Sequence, residues 1–277
     1  MHPICIALIA LGGLVLIGAL MWLYMIFPGG RRKEMKRFVG TKYAHRGLHG
    51  NGVAENSMTA FRLAKENGFG IELDVRLSKD GELVVFHDET LTRVAGIEGK
   101  VIDYTAEELS KMSLSSTSDG VPTFREVLEL IDGAVPLIIE IKMGPGESGV
   151  AEKLVEVIDG YKGDYVVESF NPLALRIIRR LRPDILRGIL SDLYMKDPKY
   201  GGKFIYRLSQ DLMLNFLMRP HFIAYNKNGY YKPNLRILGR VFRTPLVTWT
   251  VKSPEEERDA YKRGFKVVIF EGYVPEK

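Results

Sequence analysis

From Thr41 onward the chain alternates short apolar runs with stretches patterned for helices. Eight runs read as parallel strands: 41–46, 70–75, 136–142, 165–170, 186–190, 221–225, 245–251 and 265–271. After the first, NSMTAFRLAKENG predicts a helix with Asn56 as its N-cap and Gly68 as its stop. Eight β–α alternations over about 235 residues fit an α/β fold of the (β/α)8 TIM-barrel type.

One apolar run breaks the alternation. ELVVFHD follows GIELDV after a few residues that include Asp80-Gly81. A parallel crossover needs a dozen or more residues, and Asp-Gly is a strong hairpin turn. Residues 82–87 therefore read as an antiparallel strand on the extended second barrel strand. Residues 89–122 then form a small insertion at the barrel top, with a short helix capped at Thr105.

Before the barrel lies a different pattern. Ile4 to Phe27 carries no charge. At about 1.5 Å per helical residue it is long enough to cross a hydrocarbon core of about 30 Å. Trp22 and Tyr24 sit near its end, where interfacial aromatics are expected. A cleaved signal peptide would have a basic segment before the apolar run and a small-residue site after it. Only His2 precedes the run here, and no A-x-A-like site follows. The expected organisation is a transmembrane anchor over 1–30, a basic juxtamembrane linker over 31–40 and a barrel over 41–277. The basic cluster after the helix predicts a single-pass cell-membrane protein with its C-terminal domain in the cytoplasm.

Composition is globular: 46% apolar and 26% charged over 277 residues. The single Cys5 excludes a disulfide framework and Cys-rich metal sites. A net charge of +5 suggests nucleic acid until it is located. RRKEMKR at 31–37 has five bases and one acid, so +4 of it lies beside the anchor. A nucleic-acid binder carries its charge on the folded domain, so no nucleic-acid partner is expected. Within the barrel, residues 193–243 hold ten Lys/Arg, two Asp and ten aromatics. Phe204, Leu208, Leu212 and Phe216 stand there at helical spacing, predicting one barrel helix, with a sharper alternative of contact with the bilayer.

Barrel enzymes build their sites at the C-terminal ends of the strands. Those ends here are His45-Arg46-Gly47, Glu72 with Asp74, Glu140 with Lys142, Trp249 and Glu271; the hairpin ends in His87-Asp88. Residues two apart share one face of a strand, so Glu72 and Asp74 project together, as do Glu140 and Lys142. Adjacent carboxylates repel unless a cation lies between them. Three carboxylates without cysteine favour a hard ion, Mg²⁺ or Ca²⁺. Internal salt bridges, Glu72–Arg46 and Glu140–Lys142, are the plainer explanation of each pair taken singly. Two histidines at strand ends suit a general acid and a general base. Arg46 and Lys142 suit a phosphate. The residues alone lead to metal-assisted phosphodiester chemistry.

AHRG, followed by ENSMTAF, ELDVRLSKDGELVVFHDETLTR and IIEIK, resembles the glycerophosphodiester phosphodiesterase family, among the phospholipase-C-like phosphodiesterase barrels. The likeness covers nearly everything from residue 41 on. It implies that His45 and His87 are the acid/base pair and that Glu72, Asp74 and Glu140 hold one divalent cation. Arg46 and Lys142 would bind phosphate, Glu55 would hydrogen-bond in the site, and Trp249 is grouped with them as substrate-binding. Ala54, the IFEG ending and Glu168 depart from the common pattern, which bears on substrate preference. The implied reaction hydrolyses glycerophosphodiesters to glycerol 3-phosphate and an alcohol. One histidine deprotonates water or a glycerol hydroxyl, and the other protonates the leaving alcoholate; which does which stays open. A linker over 28–40 could extend roughly 45 Å, which would favour lysophospholipid substrates in the adjacent membrane lipid. The alternative is a non-catalytic phosphate- or lipid-binding barrel.

Overall fold

The computed structural model describes residues 2–31, 33–144, 146–200 and 203–276. Nine strands make one sheet: β1 (Lys42–His45), β2 (Gly70–Leu77), β3 (Leu83–Val85), β4 (Leu137–Ile141), β5 (Tyr165–Ser169), β6 (Arg187–Ser191), β7 (Phe222–Asn226), β8 (Leu246–Val251) and β9 (Val267–Phe270). Eight are parallel, in the order β1-β9-β8-β7-β6-β5-β4-β2, and β1 pairs again with β2 to close the barrel. β3 pairs antiparallel with the end of β2, Val75 opposite Val85, as the Asp80-Gly81 turn requires. The stretch after it carries its own apolar cluster around Leu91, Val94, Leu109 and Val121. Its short helix Ala106–Ser110 begins with a capping box between Thr105 and Glu108.

Side chains alternate along each strand. One set, including Ile71, Leu73, Ile139, Val167 and Ile223, packs outward under the helices. The other set fills the barrel in two layers. The lower layer is apolar: Tyr43, Ile138, Val166, Phe222, Val267 and Ile269 form one cluster. At Gly188 a Cβ would strike the Phe222 ring at 2.1 Å, so the glycine makes room for that ring. The upper layer is polar, with Glu72, Asp74, Glu140 and Glu168 all buried.

Pro3–Ile26 is a single helix, long and apolar enough to cross a membrane, and none of its most apolar window is buried. Its last turn docks on the barrel. Asn215 donates to the Ile26 carbonyl at 3.0 Å, and Arg219 donates to those of Tyr24 and Phe27. The Arg219 guanidinium also lies 4.5 Å from the Tyr24 ring centre.

The stretch expected to be a linker is folded. Glu34–Phe38 is a 3-10 helix whose Met35 and Phe38 are buried in the barrel's lower cluster. Gly29 bonds Pro220, Arg31 bonds Pro183 and Asp184, and Arg37 pairs with Asp164. Each of these partners shortly precedes a barrel strand, so the segment closes the N-terminal end. The roughly 45 Å reach of a free linker therefore does not apply.

Two local expectations are corrected. The helix Met58–Glu66 is capped by Ser57, whose hydroxyl accepts from Ala60; Asn56 turns inward instead. Residues 204–216 are not one helix. Phe204–Gln210 ends, Leu212 takes a left-handed φ of 58°, and a second helix runs Asn215–Met218. The break lets Asn215 reach the end of the N-terminal helix.

Candidate active site

The parallel register lines up the upper layer of carboxylates. Asp74 stands opposite Glu140, and Glu140 opposite Glu168. On the other side of β2, His45 stands opposite Glu72. Glu72, Asp74 and Glu140 each offer a carboxylate oxygen within 4.8 Å of the others. The salt-bridge alternative holds only in part. Lys142 bridges Glu140 at 2.6 Å and Asp74 at 3.1 Å, and Arg46 Nε lies 3.5 Å from Asp74. Glu72 accepts the backbone N–H of Arg46, at 3.1 Å, in place of its guanidinium. Four buried carboxylates thus face two cations, Arg46 and Lys142, leaving a charge of −2 if all are ionised.

The protonation of the cluster records that excess. Burial, then Asp74, Glu140 and Glu168, push Glu72 well above the carboxylate range. Burial also raises Glu140, partly offset by Lys142. Burial and then Glu140 raise Glu168, whose Oε2 is buried without a hydrogen-bond partner. Burial would raise Asp74 too, but Lys142, His87 and Arg46, with a 2.9 Å hydrogen bond from Asn56, hold it far below its ordinary value. A divalent cation fits this donor set: three oxygens in a buried cluster whose unbalanced charge matches its own.

Each histidine is oriented by a carboxylate. His45 Nδ1 lies 2.7 Å from Glu271 Oε2, and His87 Nδ1 lies 2.6 Å from Asp88 Oδ1. Donation through Nδ1 leaves Nε2 of each ring as the acceptor. The hydrogen bond with His45 brings Glu271 down to about 2. Burial, with Lys142 and Arg46 nearby, brings His87 down to about 4.

Arg46 is held at a left-handed φ of 55° and hydrogen-bonds Glu55 at 2.7 Å. Gly47 follows at φ +79°, where a Cβ would meet Ala60 Cβ at 2.8 Å. This turn needs glycine to bring the Glu55 loop over the end of β1. Glu55 and Asp88 share Arg93, tying the hairpin to that loop. Trp249 packs edge-on against Phe170 at 5.5 Å, with its buried Nε1 unpartnered.

All nine residues expected from the sequence, His45, Arg46, Glu55, Glu72, Asp74, His87, Glu140, Lys142 and Trp249, line the C-terminal end of the barrel or its adjoining loops. Asn56, Asp88, Arg93, Glu168 and Glu271 join them. The His87-Asp88 ending and the unusual Glu168 were visible signals; Asn56 and Arg93 had none. Phe170 also leads to a ring cluster, with Tyr194 at 6.4 Å and Tyr200 and Tyr206 beyond it.

The chain is similar to several known proteins. A glycerophosphodiester phosphodiesterase of Caldanaerobacter subterraneus is 40% identical over 166 residues, 56% of this chain and 68% of that one. A human lysophospholipase D is 29% identical over 169 residues, 56% of this chain and 52% of that one. Among solved structures, an Oleispira antarctica phosphodiesterase in complex with sn-glycerol-3-phosphate shares the fold. It superposes with a TM-score of 0.70 at 23% identity, covering 84% of this chain and 94% of that one. The family model of the glycerophosphoryl diester phosphodiesterases matches residues 45–271. With that match spanning both histidines and every buried carboxylate described above, the chain belongs to the glycerophosphoryl diester phosphodiesterase family and is a phosphoric diester hydrolase.

Proposed function

We propose that this chain is a membrane-anchored enzyme that hydrolyses glycerophosphodiesters to glycerol 3-phosphate and an alcohol, using one divalent cation, Mg²⁺ or Ca²⁺. The observation that carries the reading is the juxtaposition of a buried, charge-unbalanced carboxylate cluster with two carboxylate-oriented histidines. Glu72, Asp74 and Glu140 would hold the ion. When bound, it supplies positive charge at the phosphoryl oxygens, where negative charge develops.

The chain's own residues do the rest. Arg46 and Lys142 bring guanidinium and ammonium donors to the phosphate. Asn56 and Lys142 hold Asp74 ionised and in place. Glu55, braced by Arg93, fixes the Arg46 guanidinium. The Trp249 N–H, lacking a partner, donates to a substrate oxygen. One imidazole takes the proton of the nucleophile at Nε2, and the other returns a proton to the departing alcoholate oxygen. Glu271 and Asp88 hold Nδ1–H of each ring, so the base presents a free Nε2 and the acid gives up the Nε2 proton of an imidazolium. A non-catalytic barrel would have no use for two such oriented rings.

Lysophospholipids are a second substrate reading. One observation favours it: Tyr194, Tyr200 and Tyr206 extend a ring cluster from Phe170, aromatic faces against which an acyl chain would pack. The likeness to the human lysophospholipase D points the same way. The anchor and the cytoplasmic placement of the barrel rest on the apolar helix and the basic residues after it.

The test follows phosphorus-containing products from full-length protein given glycerophosphocholine or lysophosphatidylcholine. The proposal expects glycerol 3-phosphate from the first, and the acylated glycerol phosphate from the second. No product from any glycerophosphodiester would overturn the activity. Product from the diester alone would remove the lysolipid reading.

A further inference from the structure

Outside the barrel, a cavity of about 590 Å³ opens between the helices Pro233–Arg240 and Pro254–Lys262. Arg236, Arg240, Lys262, Arg263 and Lys266 line it, and none of its lining residues is acidic. Only Arg263 is neutralised, by Asp259; it also lies 3.5 Å from the Tyr230 ring centre, forming a fixed wall. No ion pair joins the other four to an acid among the described residues. These four exposed side chains rim one cavity that has no acid in its lining, an arrangement that favours an anion.

Position names the source of the anion. Lys266 and Leu246, at the cavity floor, lie at the N-terminal end of the barrel, where the segment after the anchor is docked. Phe242, two residues past Arg240, meets Phe27 edge-on at 5.3 Å. Between them Val241 is 70% exposed. Phe27 caps the apolar helix, so a membrane crossed by that helix would have its boundary level with the cavity's Arg240 edge.

We infer that this cavity binds the phosphate headgroup of an anionic phospholipid from the leaflet into which the helix inserts. The inference rests on the membrane-anchored reading above. Val241 and Phe242 would meet the acyl boundary, while Arg236, Arg240, Lys262 and Lys266 surround the phosphate. Each basic group near an anionic leaflet is worth about 1 kcal/mol, roughly fivefold in affinity. The contact would hold the barrel's closed end against the membrane.

The experiment uses full-length protein in nanodiscs of phosphatidylcholine alone or mixed with phosphatidylglycerol. Retained lipid is read by native mass spectrometry, and contact with the discs by hydrogen exchange over residues 233–266. Wild type should retain phosphatidylglycerol preferentially and gain protection in the mixed discs. The combined variant Arg236→Gln, Arg240→Gln, Lys262→Gln and Lys266→Gln should lose that preference by at least about tenfold, with hydrolysis of glycerophosphocholine unchanged as the check on folding. Equal retention of both lipids, or a preference surviving in the variant, overturns the inference. So does displacement of the lipid by millimolar inorganic phosphate, which would mark a soluble-anion site. Flotation with pure phosphatidylcholine vesicles separates the two readings. Protein that fails to float refutes the anchor, and the lipid site with it. Protein that floats without preferring phosphatidylglycerol refutes the site alone.

Discussion

Two imidazoles that move protons should be expensive to lose. His45→Ala and His87→Ala are each expected to lower kcat by about 10²–10⁴, the range of general acid–base catalysis; a variant within tenfold of wild type removes that ring from the mechanism. Glu271 acts through His45, so Glu271→Gln should cost less than His45→Ala while displacing one limb of the pH–rate profile. An unmoved profile would reduce it to packing. A third histidine answers to pH without taking part in the reaction. Burial, with Arg187 and Arg31 close by, brings His221 down to about 3, and its Nδ1 accepts the Arg187 N–H at 3.1 Å. The unfolded chain protonates this ring near pH ~6.5. Its stabilisation is therefore complete above that pH and is lost as pH falls from about 6.5 toward 3. Between pH 7 and pH 5 the loss is about 2 kcal/mol. His221→Asn keeps an acceptor without the titration, so its melting temperature should fall less over that interval; parallel melting curves would contradict this. The alternation of side chains along a strand made Glu72, Asp74, Glu140 and Lys142 legible from spacing alone. Asn56 was not, because asparagine caps helices as well as serine does, and nothing local marks a side chain turned toward Asp74. The Glu271–His45 bond joins residues 226 apart, so only the closed barrel reveals it.

The strands and the hairpin were legible because each is a run of apolar residues cut by turns. Charge hid the structure of the segment after the N-terminal helix. RRKEMKRF reads as a solvated stretch, yet Met35 and Phe38 lie three apart and enter the barrel together; that spacing was the only hint. Phe38→Ala should cost about 3–5 kcal/mol, lowering the melting temperature while leaving KM nearly unchanged, since the site is at the other end. A melting temperature equal to wild type would restore the segment as a linker. The broken helix at 204–218 was hidden for another reason. Phe204, Leu208, Leu212 and Phe216 keep helical spacing across the kink, but Leu212 is buried and Phe204 is 74% exposed, so one straight stripe never formed. Its second half holds the last turn of the N-terminal helix, through Asn215 and Arg219.

Across the whole molecule, function is divided between two ends. Phe222 and its neighbours, the Met35–Phe38 plug and the docked helix close one end; the carboxylates and histidines open the other. Arg187 links the layers at the closed end, donating to the Met218 and Arg219 carbonyls, while Arg219 grips the last turn of the helix. Arg219→Ala should therefore speed hydrogen exchange at residues 24–31 by about tenfold or more with glycerophosphocholine turnover preserved, given that a lost charged hydrogen bond is worth about 1.5–3 kcal/mol. Unchanged exchange would mean that the helix is held by other contacts. With the site at the end of the barrel opposite the docked helix, soluble diesters should be turned over equally well in detergent and in nanodiscs. The claim on which the rest depends is that Glu72, Asp74 and Glu140 hold a cation needed for hydrolysis. It is tested most directly by measuring glycerol 3-phosphate release from glycerophosphocholine by the full-length enzyme and by Asp74→Asn, first in EDTA and then with Mg²⁺ or Ca²⁺ restored in excess. Wild type should be silent in EDTA and recover with one of the ions, and the variant should stay silent throughout; full wild-type activity in the chelator, or an active Asp74→Asn, would contradict it.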